Sequence, residues 1–145
     1  MIGGTARVVW FVHGPDERCL YWSVVQAKAA FPAETTFHVF GDGLTGGLSE
    51  SAKEWLKAVG VEYRETQWDR GGNLNGLAAV DGILMSMFGV AKDRSDVIWK
   101  LDADTLVGDP GVLLDWFADP NLTGAGLRCP WAAGWWGISY ALRAG

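Results

Sequence analysis

The chain has 145 residues, 49% hydrophobic and 20% charged, with a formal net charge of -5. Those totals suit one globular domain over residues 1–145 and exclude a disordered chain or two full-sized domains. The acidic balance offers no basic stripe to a nucleic-acid backbone, while a phosphate ligand stays open to it if a divalent cation mediates.

Two cysteines, Cys19 and Cys129, lack metal-ligand spacing and read as reduced thiols. The start, "MIGGTARVVWFVHG", has no basic region followed by a long apolar one. No apolar run reaches the ~18 residues of a membrane span, so a cytoplasmic location is the expectation. Nine tryptophans are the one oddity of composition.

In chain order, Ala6–Gly14 is a continuous β-branched and aromatic run ending in glycine, the pattern of a strand covered on both faces. Cys19–Phe31 carries Leu20, Val24, Ala27 and Phe31 at helical spacing, and Pro32 stops it. Thr35–Gly43 is a second strand closed by Gly-Asp-Gly. Ser51 and Glu54 form an expected capping box, and Gly60 sits where a helix ends. Val61–Glu65 reads as a short third strand, and Thr66–Gly76 as a loop rich in glycine and asparagine. A helix over Leu74–Gly89 is expected to bury Leu77, Leu84, Met85 and Phe88. Asp96–Leu101 is the fourth strand, and Asp109-Pro110 opens a further helix as cap and first residue. The tail from Asp119 is rich in glycine and tryptophan and ends in an expected strand, "GISYAL".

Strand and helix alternate four times, which predicts an α/β fold: a Rossmann-like, mostly parallel sheet flanked by helices. Ligands of such sheets lie beyond the carboxyl ends of the strands. His13-Gly14, Asp42 and the pair Asp102-x-Asp104 are all expected on that rim.

The pair ends an apolar strand in "VIWKLDADTLVGDP". Three readings compete: a metal-binding pair, a phosphoryl-transfer pair and a solvated strand end. Two carboxylates one residue apart can converge on Mg²⁺ or Mn²⁺, a hard cation that takes one or two carboxylates plus substrate phosphates. Without a cation they repel.

"VIWKLDADTLV" resembles the Asp-x-Asp segment of GT-A fold nucleotide-sugar-dependent glycosyltransferases, in which a hydrophobic strand ends in strings such as "LDADTLV". The "VHGPDE" turn, the second strand ending in Asp42 and the "RGGNLNG" loop have counterparts there. Downstream, "GWWGISYALRAG" resembles the segment that follows the motif. The resemblance implies a GT-A-like nucleotide-diphospho-sugar transferase fold, a donor such as a UDP-sugar, and Mn²⁺ or Mg²⁺ as cofactor. It implies that His13 and Gly14 border base and ribose, that Asp42 contacts the base, and that Arg70 and Asn73 lie near the diphosphate or donor sugar. Asp102 would hold the ribose or share the metal through water, and Asp104 would ligate it directly. Members of the family usually continue well past this point, to an acceptor site and often a third metal ligand, commonly histidine. Here the histidines are His13 and His38, both upstream. The expectation is therefore the donor-binding half: a fragment, a minimal member with a partner chain or oligomer completing the acceptor site, or a nucleotide-sugar binder without turnover.

"LDADTLV" also fits the signature of haloacid-dehalogenase-type phosphohydrolases, but that motif normally opens its fold and needs a later lysine, and no lysine follows Asp104. A calcium loop is weaker still, since Leu106 stands where an oxygen ligand belongs. Lys100 reads equally as offset to the aspartates, as a phosphate contact, or as a lysine on an edge-facing side. Asp81, on the apolar face of its helix, needs a partner such as Lys100 or the "RGGN" loop, unless it snorkels to the helix edge. Trp131, Trp135 and Trp136 offer either a sugar platform or core filling. His38 reads as a satisfied sheet histidine.

Overall fold

The structure, a computed structural model, describes residues 5–44, 46–67, 77–126 and 140–144. Strand β1 (Ala6–Val12) is buried at every position, as its continuous apolar run predicts. A short turn of 3-10 helix leads into α1 (Glu17–Ala30), and β2 (Thr36–Asp42), α2 (Glu50–Ala58) and β3 (Glu62–Thr66) follow. Then come α3 (Leu77–Gly89), β4 (Val97–Leu101), α4 (Gly111–Trp116), β5 (Gly124–Gly126) and β6 (Tyr140–Arg143).

The six strands form one mixed sheet in the order β3-β2-β1-β4-β6-β5. β1, β2, β3 and β4 run parallel, and β6 runs antiparallel to both β4 and β5. The chain builds outward from β1 to β3 and then returns to the other side of β1 through α3. The order of strands reverses between β1 and β4, the place where such sheets open a crevice at their carboxyl edge. Among the described residues no helix is long and apolar enough to cross a membrane.

Each face of the sheet has its own core. Val8, Trp10 and Val12 of β1 pack with Leu20, Val24 and Ala27 of α1, Leu56 of α2 and Phe117 beyond α4. On the other face Val9, Phe11, Phe40 and Ile98 pack with Met87 of α3. Strand alternation sorts the residues, and Phe11 stacks on Phe40 at 5.2 Å between ring centres. At the amino edge, buried Asp96 accepts hydrogen bonds from Thr5 N–H (3.0 Å), Arg7 Nε (3.0 Å) and Lys92 N–H (2.8 Å). Burial pushes its carboxyl up, but the Lys92 and Thr5 amides, the Arg7 guanidinium and the Asp93 amide outweigh burial and hold it below the usual range.

Two expectations are corrected, a third is resolved and one strand is added. The cap of α2 is Ser49, not Ser51: its extended backbone (φ -62, ψ 155) lets the side chain accept from Ala52 N–H. Glu17 of α1 fixes Ser49 in turn, accepting from its Oγ (2.8 Å) and its N–H (3.0 Å), a long-range tie that local spacing does not reveal. α3 exposes Met85 (74%) and Phe88 (42%) and buries Met87 instead. Its run is apolar nearly all round, so periodicity cannot select a face. Asp81 on the same helix is exposed, which matches the expectation that it reaches the helix edge and not the one that gives it a partner inside the fold. Finally β5 was not foreseen, because Gly-Ala-Gly carries no strand pattern; a Cβ at Gly124 would sit 3.1 Å from the Leu142 side chain. Gly60, by contrast, ends α2 as expected, with φ +74.

Candidate functional site

Four parallel strands deliver their carboxyl ends to one edge. β1 ends in Val12, followed by exposed His13. Asp16 accepts from both the His13 N–H (3.0 Å) and the ring Nδ1 (2.6 Å), which fixes the imidazole beside the turn. Gly14 N–H donates to Gly46 O at 2.8 Å and so knits the turn after β1 to the turn after β2. A Cβ on Gly14 would come within 3.3 Å of Gly47 O, a tight contact that glycine avoids.

β2 ends in Asp42, 2% exposed, whose Oδ1 accepts from Leu44 N–H at 3.1 Å. The carboxylate closes an Asx-type turn at the strand end. Gly43 follows, and a Cβ there would meet the Thr66 carbonyl at 2.7 Å.

β4 ends in Lys100-Leu101 and then Asp102. Lys100 is 8% exposed, and its Nζ pairs with Asp102 Oδ1. The expected edge-facing lysine is thereby replaced by the offsetting one: β4 lies between β1 and β6, so its side chain has no sheet edge to face. The Asp102 carbonyl accepts from Thr105 N–H at 3.0 Å, turning the chain so that Asp104 stands exposed. Among the described residues Asp104 has no hydrogen bond or ion pair. Asp109 does what its Asp-Pro context predicts, accepting from Gly111 N–H at 2.7 Å where α4 begins.

The turn after β4 is pinned to α1. Ser23 Oγ donates to the Thr105 carbonyl at 2.6 Å and accepts from Trp10 Nε1 at 2.9 Å. Gln26 Oε1 accepts from Val107 N–H at 2.6 Å. Ser23, Gln26, Asp16 and Glu17 escaped the sequence reading. Ser23 had left a signal, as a polar residue inside the Leu20, Val24, Ala27 stripe.

His13, Gly14, Asp42, Lys100, Asp102 and Asp104 thus share the carboxyl edge, and β1 and β4 bring His13 and the Asp102 turn to either side of the switch point. Arg70, Asn73, Cys129, Trp131, Trp135 and Trp136 lie outside the described residues. His38 is a buried sheet histidine: Nε2 is 2.9 Å from Thr36 Oγ1, and Nδ1 lies 3.0 Å from Glu62 Oε2 without the alignment of a hydrogen bond. Burial pushes its pKa below 6.5.

The donor set fits a hard divalent cation in kind. Two carboxylates bear oxygen ligands, and among the described residues no third His, Cys, Asp or Glu joins them. That composition suits a cation completing its shell with water and substrate phosphates.

A six-stranded mixed sheet with helices on both faces and its strand reversal beside the first strand is a GT-A-like fold. Solved glycosyltransferases share it. The mannosyltransferase PcManGT from Pyrobaculum calidifontis, in complex with GDP-Man and Mn2+, is similar at TM-score 0.64 and 15% identity, over 95% of this chain and 44% of that one. The galactosyltransferase LgtC, in complex with donor and acceptor sugar analogs, is similar at TM-score 0.53 and 18% identity, over 74% and 41%. The mannosyltransferase Ktr4p from S. cerevisiae follows at TM-score 0.52 and 8% identity, over 84% and 38%. The chain therefore spans about two-fifths of the length of these proteins. No protein-family model and no curated protein sequence matches it.

Proposed function

We propose that residues 1–145 form the donor-binding domain of a glycosyltransferase that takes a nucleoside-diphosphate sugar, UDP favoured, with Mn²⁺ or Mg²⁺ at Asp102 and Asp104. The observation that carries this reading is the Asp102-x-Asp104 turn at the carboxyl end of β4, beside the switch point and pinned to α1 by Ser23 and Gln26. His13 and Gly14 border base and ribose, and Asp42 closes the base side. Arg70 and Asn73 meet the diphosphate or sugar, and Lys100 a phosphate. Asp102 reaches the ribose or shares the metal through water, and Asp104 binds it directly. When bound, the cation offsets the negative charge that builds on the departing nucleoside diphosphate. The chain's own residues hold the donor's two ends while its glycosidic bond faces the acceptor side.

Calorimetry with UDP, GDP and their sugars, with and without Mn²⁺, tests the reading; absence of metal-dependent binding to all of them refutes it. Asp104→Ala is expected to abolish the metal-dependent part. The alternative reading is a nucleotide-sugar-binding module without turnover. Donor hydrolysis or transfer by the wild type separates the two, and phosphate release from a simple monoester would point to a phosphohydrolase.

A further inference from the structure

The Lys100 side chain is 10% exposed and that of Asp102 29%. β4 is flanked by β1 and β6, so the stem of Lys100 is enclosed and its ammonium has to meet a partner inside the protein. Strand alternation puts Asp102 on the same side two residues on, and the pair forms there. The two aspartates are therefore unequal. Asp102 arrives neutralised by the chain's own cation, whereas Asp104 faces solvent.

We infer that Lys100 is an exchangeable counter-ion: it holds Asp102 in the absence of ligand and passes to the donor's diphosphate when a divalent cation takes the two aspartates. The inference rests on the metal-dependent donor reading above. Lys100 and a divalent cation compete for the same carboxylate, so Lys100 opposes the cation when it comes alone. A diphosphate offers the ammonium new anionic oxygens, and the four-carbon stem lets Nζ turn to them. Opposition then becomes support. The aspartates and Lys100 together carry one net negative charge; adding the divalent cation makes the set positive by one, which suits an anion of two phosphates. Cation and nucleotide consequently strengthen each other, reciprocally, and by more than the aspartates alone provide.

Lys100→Met keeps the stem and removes the charge. Binding of Mn²⁺ alone is read from the loss of the free-ion magnetic resonance signal, and binding of UDP at saturating Mn²⁺ by calorimetry. The expected result has opposite signs: Mn²⁺ alone binds about fivefold or more tightly, and UDP binds about tenfold or more weakly. A loosened fold would weaken both. Same-sign changes in a fully folded variant, or no change in either, overturn the counter-ion role while leaving the donor reading standing. A wild type that binds neither Mn²⁺ nor UDP nor GDP overturns both. Lys100→Gln repeats the test if the methionine variant does not fold. In the wild type, UDP should strengthen Mn²⁺ binding where uridine does not; equal effects of the two also overturn the inference.

Discussion

Ser23→Ala tests whether α1 holds the Asp102 turn in place. Ser23 and Trp10 are both 0% exposed, and the serine hydroxyl serves as acceptor for Trp10 Nε1 and donor to the Thr105 carbonyl. Alanine leaves the indole N–H orphaned in a dry core, at about 1–3 kcal/mol, while water can reach the partly buried carbonyl at smaller cost. A total near 2 kcal/mol lowers the urea midpoint by about 1 M for a slope of about 2 kcal/mol/M. The turn keeps the tie from Gln26 to Val107 but loses the one from Ser23, so Mn²⁺-dependent UDP binding should also fall about tenfold under conditions where the variant is fully folded. Leu56→Ala is the control. It empties a fully buried site on α2, costing about 2–5 kcal/mol, yet should leave binding unchanged. A Ser23→Ala loss below about 0.5 kcal/mol with unaltered binding refutes the reasoning, as does equal loss of binding in the Leu56 control.

Gly43→Ala forces a Cβ to 2.7 Å from the Thr66 carbonyl, so the β2–β3 rim beside Asp42 has to shift; a loss of about 1–3 kcal/mol by urea unfolding and weaker UDP binding are expected. Stability should fall in two stages as pH drops, because His38 and Asp96 each hold fewer protons folded than unfolded. The His38 contribution is complete above 6.5 and is lost as pH falls through its lowered folded value, and His38→Gln should flatten that stage. The Asp96 contribution is complete above 3.8 and is lost below it, so Asp96→Asn should shrink the acid stage in urea midpoints, leaving the part due to Glu62, Glu65 and Asp93, which are also held below their usual values.

Much of this fold could be read from the chain because its parallel strands are buried on both faces and so lack polar interruptions. β1 and β4 announced themselves that way. The aspartate turn was legible for the same reason, since charge after an apolar strand marks its carboxyl end. What escaped depends on contacts distant in sequence. Glu17 selects Ser49 over Ser51 from another helix, and β5 exists only through its pairing with β6. α3 hid its buried face behind uniform apolarity. Lys100 stayed ambiguous until the sheet order gave β4 a neighbour on each side.

The central position of β1 has a consequence for shortened versions of the chain. β1 uses one edge for β2 and the other for β4, whose residues Val97–Leu101 come much later in the sequence. A fragment ending before Val97 can assemble β1, β2 and β3 with α1 and α2, but the second edge of β1 then stays open. That edge is Ala-Arg-Val-Val-Trp, apolar apart from Arg7 and without proline. Such an edge templates pairing with another copy of itself, so fragments of this kind are expected to aggregate rather than remain monomeric.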